Sequence, residues 1–276
     1  MDESKAYAIL NNGVKMPWIG YGVFKTKEGE EVISSVKTAL ETGYRSIDTA
    51  KAYGNEEGVG AAIRESSVPR EDIFLATKVW NSDQGYESTL KAFEDSLKRL
   101  DTDYVDLYLV HWPVEGKFIE TYKALEDIYK EGMVKAIGVC NFNIHHLEEL
   151  LKECTIPPMI NQVELHPLHS QPQLREFCRA NDIQIESWGP LMQGGKILDN
   201  ELVGRIASEY GKTPAQVILR WHYENNLIAI PKSITPSRIK ENFDIFNFHL
   251  SEEHKKIIDD MNMNLRVGPD PDNFNF

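Results

Sequence analysis

The sequence predicts an α/β protein: a closed (β/α)8 barrel (TIM barrel) with an N-terminal β-hairpin and one extra C-terminal helix. Three observations predict it. Eight short apolar runs each give way to a segment with helical spacing, the rhythm of a parallel sheet with crossover helices. Eight repeats are the number that closes such a sheet, and 276 residues suit a barrel of about 250. No G-x-G-x-x-G follows the first run, which counts against an open dinucleotide-binding sheet.

Residues 6–16 read as two short strands around Asn12-Gly13, a dipeptide suited to a tight hairpin, and the pair is expected to plug or lid a larger body. The first barrel strand is 19–24, whose glycines allow close backbone approach. Helix 30–42 follows, with Val32, Val36, Ala39 and Leu40 at helical spacing. Strand 45–48 leads to helix 56–64, and strand 73–78 to helix 86–100, whose Leu90, Phe93, Leu97 and Leu100 share a face. The alternation continues with strand 105–111, helix 118–131, strand 134–139, helix 144–154, strand 159–163, helix 172–181 and strand 183–187. Helices 202–210 and 214–225 precede strand 227–230 and helix 236–243. Gly43-Tyr44, Gly132-Met133 and Asn181-Asp182 punctuate helix-to-strand turns. An extra helix, 252–263, and an irregular tail with Pro269 and Pro271 complete a single domain over 1–276.

Composition narrows the function. A net charge of −13 with no lysine/arginine run argues against nucleic acid and anionic membranes as partners. Cys140, Cys154 and Cys178 form no C-x-x-C pair and cannot all pair with one another, which suits a reducing compartment. The acidic start, Met1-Asp-Glu-Ser-Lys5, has no apolar signal core, and no run approaches the ~18 apolar residues of a membrane span. A cytoplasmic location is expected.

In such barrels the chemistry sits at the C-terminal ends of the strands. Those ends carry Asp48, Lys78, His111, Cys140-Asn141, Asn161-Gln162, Trp188 and Lys232, with Tyr53 five residues beyond Asp48. Each alone reads as a solvated strand end, a cap or a core residue; together they point to a site. There is no serine or cysteine nucleophile beside a base and no H-x-H metal spacing, so no metal is expected. A phenol beside a lysine and a carboxylate points to proton donation by tyrosine. The ammonium should favour the phenolate and lower the phenol's pKa, while the carboxylate holds the lysine charged. Schiff-base chemistry at Lys78 is one rival, and it leaves the Lys232/Arg238 pair unexplained; a regulatory subunit is another, and it would want a partner surface or an extended N-terminal segment.

Along nearly its whole length the chain resembles the aldo-keto reductases. The resemblance is carried by Gly43-Tyr-Arg-Ser-Ile-Asp-Thr-Ala50, Tyr53-Gly-Asn-Glu56, Thr77-Lys-Val-Trp80, Tyr104-Val-Asp-Leu-Tyr-Leu-Val-His-Trp-Pro113, Gly138-Val-Cys-Asn-Phe142, Asn161-Gln-Val-Glu164 and Ile230-Pro-Lys-Ser233. Within that family it looks most like bacterial glyoxal, methylglyoxal and 2,5-diketo-gluconate reductases. The resemblance implies NADPH-dependent reduction of a small carbonyl substrate, with Asp48, Tyr53, Lys78 and His111 as the catalytic tetrad. It implies that Trp188 stacks on the nicotinamide and that Cys140, Asn141 and Gln162 lie at its carboxamide. Lys232, Ser233 and Arg238 match contacts to the 2′-phosphate, with Glu241 and Asn242 near the adenine. Cys140 stands where the family commonly has serine, which weakens one hydrogen bond, and Gly189 removes a hydroxyl near the pyrophosphate. Trp18, Trp80 and Trp112 are expected to line an open substrate pocket, because the tail after Met263 is short. The family and the lack of a heptad seam favour a monomer.

Overall fold

The computed structural model describes residues 7–276. Residues 1–6, with the acidic start and the first residue of the expected hairpin, lie outside the described residues. Strands β1 (Tyr7–Ile9) and β2 (Lys15–Pro17) pair antiparallel, Ala8 opposite Met16, around Gly13 at φ +85°. Asn11 donates to Pro158 O (3.2 Å) and Asp182 O (3.1 Å), and Asn12 to Lys135 O (2.9 Å). Those carbonyls lie at the starts of three barrel strands, so the hairpin is a plug across the N-terminal end.

The barrel strands are β3 (Tyr21–Gly22), β4 (Ser46–Asp48), β5 (Phe74–Val79), β6 (Val105–Val110), β7 (Val134–Cys140), β8 (Ile160–Glu164), β9 (Gln184–Trp188) and β10 (Ile228–Ala229). They pair in sequence order, all parallel. Closure comes from a parallel bridge between Ile19 and Ala229, where Ala229 N donates to Trp18 O (3.0 Å) and Gly20 N to Ala229 O (2.9 Å). The seam is tight: a Cβ on Gly20 would stand 2.9 Å from Ile230 Cγ2 and 3.0 Å from Ser46 Oγ. Only glycine lets the backbones meet there.

Around the sheet lie α1 (Glu30–Thr42), α2 (Glu56–Glu65), α3 (Tyr86–Leu100), α4 (Phe118–Lys130), α5 (Ile144–Glu153), α6 (Pro172–Ala180), α7 (Glu201–Tyr210), α8 (Pro214–Glu224) and α9 (Pro236–Phe243). The sheet is buried on both faces, so its strands read as near-continuous apolar runs. The last helix, α10 (Glu252–Asp259), is shorter than expected. Asp260 N and Met261 N still bond to the helix, and the backbone then turns to another partner: Met263 N and Leu265 N both donate to Leu168 O, at 3.1 and 3.0 Å.

Asp106, a charge inside the apolar run of β6, lies near that strand's N-terminal end and away from the mouth. Its Oδ2 accepts from Arg70 Nη1 (2.9 Å) and Leu75 N (2.9 Å), and Lys135 lies 2.7 Å from Oδ1. Two cations and a backbone donor satisfy the buried carboxylate and tie β5, β6 and β7 together.

Candidate active site

The mouth is built from strand ends. β4 delivers Asp48, and neighbouring β5 delivers Lys78. A single 3₁₀ turn, Lys51–Tyr53, then swings Tyr53 back over the barrel, with Gly54 taking the left-handed conformation at φ +65°. Lys78 has no exposed surface. Its Nζ donates to Asp48 Oδ1 (2.7 Å) and Oδ2 (2.8 Å), to Thr49 O (2.9 Å) and to Tyr53 Oη (3.3 Å). Because the phenol oxygen accepts from Lys78, its own O–H is left to point elsewhere. His111, at the end of β6, sets its ring edge-on to Tyr53 at 5.8 Å.

Electrostatics assigns the protons. Burial alone would discharge Lys78, but Asp48 and then Tyr53 outweigh it and hold the ammonium above its ordinary range. An enclosed, paired ammonium is no free amine, which removes the geometric basis for a Lys78 imine. His111 is held well below the usual histidine range, by burial first and Lys78 second, so its imidazole is neutral. Its Nδ1 is buried without a partner among the described residues. Tyr53 corrects the expectation from sequence. Lys78 pulls the phenol down, but burial dominates and the net shift is upward. The phenol therefore keeps its proton at neutral pH, and the ammonium is matched to the phenolate left after transfer.

Around this tetrad, Asn141 adopts φ +66°, donates through Nδ2 to His111 O (3.0 Å) and accepts from Trp188 Nε1 (2.8 Å). Trp188 is half-buried at the rim. Gln162 differs from expectation. Its amide is fully buried, with both hydrogens committed to Asp48 Oδ2 (2.9 Å) and Glu186 Oε2 (2.8 Å). Its Oε1 accepts the Cys140 thiol at 3.6 Å. It reaches into the barrel rather than toward the rim, and the buried Cys140 thiol goes with it.

At the far side of the mouth, α9 starts at Pro236 with no side chain capping it. Lys232 and Arg238 are exposed, and neither side chain has a hydrogen bond or ion pair among the described residues. Ser233 Oγ accepts from Thr235 N (3.1 Å). Glu241 takes the Thr213 hydroxyl (2.8 Å), and Asn242 is buried on the inner face of α9. Two unpaired cations beside uncapped helix N–H groups fit a phosphate, which is how NADPH differs from NADH.

The substrate wall needs two corrections. Trp18 does not line the mouth. It precedes β3, its carbonyl closes the sheet onto Ala229, and its ring meets Tyr223 near the end of α8 (6.1 Å), all at the N-terminal end of the barrel. Phe24, just beyond β3, faces Tyr53 instead at 5.0 Å. The strand-end rule applied to 19–24 would have named it. Trp80 and Trp112 are at the mouth, with Trp80 edge-on to His111 at 5.0 Å. The mouth is not open, because the short tail closes over it. Phe276 stacks on Trp80 (5.8 Å, 6° between planes), Phe274 and Phe276 both meet Trp112 (5.1 and 5.2 Å), and Asn81 Nδ2 donates to Phe276 O (3.0 Å).

The tail is pinned by groups the sequence did not single out. Glu164, at the end of β8, accepts from Val267 N (2.5 Å), Gly268 N (3.0 Å) and pairs with His166 (3.0 Å). A Cβ on Gly268 would strike Trp188 Cη2 at 2.3 Å, so only glycine lets the tail cross that ring. Asp272 Oδ1 lies 3.2 Å from His145 Nε2 and 3.6 Å from His146 Nε2. Two histidines and a carboxylate resemble a metal site, but Asn143 N donates to His146 Nδ1 (3.1 Å) in a capping box. That leaves the proton of the neutral ring on Nε2, with no lone pair there for a metal. The trio latches the tail through close polar contacts.

The comparisons agree with this geometry. A glyoxal reductase of Bacillus subtilis (strain 168) is 57% identical over 267 residues, covering 97% of this chain and 96% of its own length. The methylglyoxal reductase DkgA of Escherichia coli (strain K12) is 50% identical over 268 residues, covering 96% of each. The solved structure of a Gox0644 variant in complex with NADPH superposes with a TM-score of 0.93 at 44% identity, covering 98% of both chains. The model of the aldo/keto reductase family matches residues 18–263. A buried Asp–Lys–Tyr relay with a neutral histidine at a barrel mouth, and a match over most of the sequence, lead to one conclusion: the chain belongs to the aldo/keto reductase family.

Proposed function

We propose that this chain reduces small aldehydes and ketones, such as glyoxal and methylglyoxal, to alcohols with NADPH as hydride donor. The observation that carries the reading is the Lys78 ammonium, bonded to both Asp48 oxygens and to Tyr53 Oη in a buried site at the mouth. Bound NADPH supplies the hydride. Tyr53 donates its proton to the carbonyl oxygen, and Lys78 stabilises the phenolate as it forms. Asp48 keeps Lys78 charged and aimed. Neutral His111 can donate a hydrogen bond to the same carbonyl oxygen, because it is not an imidazolium competing for the proton. Trp188 and Asn141 form the nicotinamide end of the cleft, with Gln162 and Cys140 buried behind them rather than in contact; Lys232, Ser233 and Arg238 hold the 2′-phosphate, with Glu241 and Asn242 at the adenine. Phe24, Trp80, Trp112, Phe274 and Phe276 exclude water and favour small or flat carbonyls over steroid ketones.

Three cysteines without a disulfide support a cytoplasmic location, and no described helix is long and apolar enough to cross a membrane. We read the chain as one barrel domain over 1–276, acting as a monomer. Steady-state rates over a panel of glyoxal, methylglyoxal, substituted benzaldehydes and steroid ketones, each with NADPH and NADH, test the reading. Small aldehydes with NADPH should lead. A preference for bulky ketones, or equal use of NADH, would contradict it.

A further inference from the structure

Glu186 lies on β9 two residues before Trp188, inside the barrel and without exposed surface. Its Oε2 accepts one hydrogen of the Gln162 amide at 2.8 Å, and the other goes to Asp48 Oδ2 at 2.9 Å. One amide thus bridges two carboxyl groups, and the Cys140 thiol fixes its oxygen. The titratable and charged groups facing Glu186 are Asp48 from β4, Lys78 from β5 and Cys140 from β7. The β8 neighbour is the neutral Gln162 amide, and the β10 neighbour is the apolar Ile228. Lys78 is the single cation in that set, and Asp48 already holds it. A second carboxylate would be a buried, uncompensated charge. Glu186 Oε1 has no hydrogen-bond partner among the described residues, so nothing there offsets ionisation. Burial first, and Asp48 second, push the carboxyl up to about 8, against the pull of Gln162 and Lys78. At neutral pH the group carries its proton.

We propose that Glu186 is a positioning residue for proton delivery: it takes one hydrogen of the Gln162 amide, aims the other at Asp48, and so sets the Asp48–Lys78 pair beneath Tyr53. The inference rests on Tyr53 as proton donor. When Glu186 ionises, it draws the Gln162 amide more strongly and places a second negative charge near Asp48. The Asp48–Lys78 contact loosens, and the phenolate becomes harder to form. Proton delivery therefore slows as pH rises through the region where Glu186 loses its proton.

The test is the pH profile of the single-turnover reduction of methylglyoxal by NADPH-saturated protein from pH 6 to 10. Wild type, Glu186→Gln, Glu186→Leu and Tyr53→Phe are compared, and infrared spectra of glutamate-labelled protein are read without cofactor. The glutamine keeps an acceptor for Gln162 but cannot ionise, so the alkaline fall near pH 8 should vanish. The leucine removes the acceptor and should slow turnover about tenfold or more at every pH, with the affinity for NADPH unmoved. A protonated carboxyl band should be present at pH 6.5, fade by pH 9 and be missing from Glu186→Gln. If Glu186→Leu does not fold, the glutamine profile and the infrared band decide. An unchanged alkaline fall in Glu186→Gln, or no such band, would overturn the proposal while an inactive Tyr53→Phe left the tyrosine reading standing. An active Tyr53→Phe would remove that reading and this one with it.

Discussion

Lys78 has three hydrogens, and the structure gives each a destination: Asp48, Thr49 O and Tyr53 Oη. Replacing it with methionine keeps the length and deletes the charge. Tyr53, already raised by burial, then faces no cation when its proton leaves. We expect Lys78→Met to lower single-turnover reduction by at least about a hundredfold, within the range for lost general-acid help. Activity within tenfold of wild type would show that the ammonium does not assist. Arg238 makes the second prediction. A charged hydrogen bond contributes roughly 1.5–3 kcal/mol, or about ten- to hundredfold in affinity. Arg238→Ala should weaken NADPH by that factor and leave NADH almost unchanged in a fluorescence titration; equal losses would mean that it does not read the phosphate. Asp48, Lys78 and His111 were legible because each interrupts an apolar run at its end. Trp18 was misread because an aromatic near a strand was taken for one at its mouth end, when it precedes β3. Glu186 was not legible, because sequence cannot show which inward residue lies across the barrel from Asp48.

At the scale of the element, the tail departs most from expectation. Its shortness argued for an open pocket, but what matters is the path it takes. Gly268 crosses Trp188, Glu164 holds two backbone N–H groups, and Asp272 latches to His145 and His146. That path depends on contacts between residues a hundred positions apart, which no local pattern carries. Its end residues then become wall. Aromatic pairs add about 0.5–1.5 kcal/mol beyond buried area. Phe276→Ala should therefore raise KM for substituted benzaldehydes about two- to tenfold while changing that for methylglyoxal little. Equal changes for the two would mean that Phe276 supports the tail without touching substrate. Helices α1 and α3 follow the sequence pattern closely because each repeats apolar residues at helical spacing over its full length. Helix α10 stops early: Met261 N closes a last tight turn on Ile258 O, and Met263 N and Leu265 N then go to Leu168 O.

For the whole molecule, the barrel was legible because its signal is repeated eight times, and closure needed only the Gly20 seam that the sequence marks with glycine. Buried titratable groups give the molecule a pH dependence. Burial is the leading cause that holds His169 and His222 down to about 4. The unfolded chain therefore binds more protons between about 4 and 6.5, and stability is lost as pH falls through that window. Glu186 acts in the opposite sense. Its folded value is near 8 against an ordinary 4.5, so the folded state holds a proton that the unfolded chain releases, and stability falls as pH rises through that range. Urea midpoints should fall on both sides of a maximum near pH 6.5, and Glu186→Gln should flatten the alkaline side. A flat wild-type profile above pH 6.5 would count against a neutral Glu186. The central claim, that the mouth delivers a proton from Tyr53 while hydride comes from NADPH, is tested most directly by one comparison. Wild type and Tyr53→Phe are each saturated with NADPH and mixed with methylglyoxal, and loss of the reduced-nicotinamide absorbance is followed through one turnover. The account predicts equal NADPH binding and a rate at least about a hundredfold lower in the mutant. Near-wild-type turnover by Tyr53→Phe would contradict it.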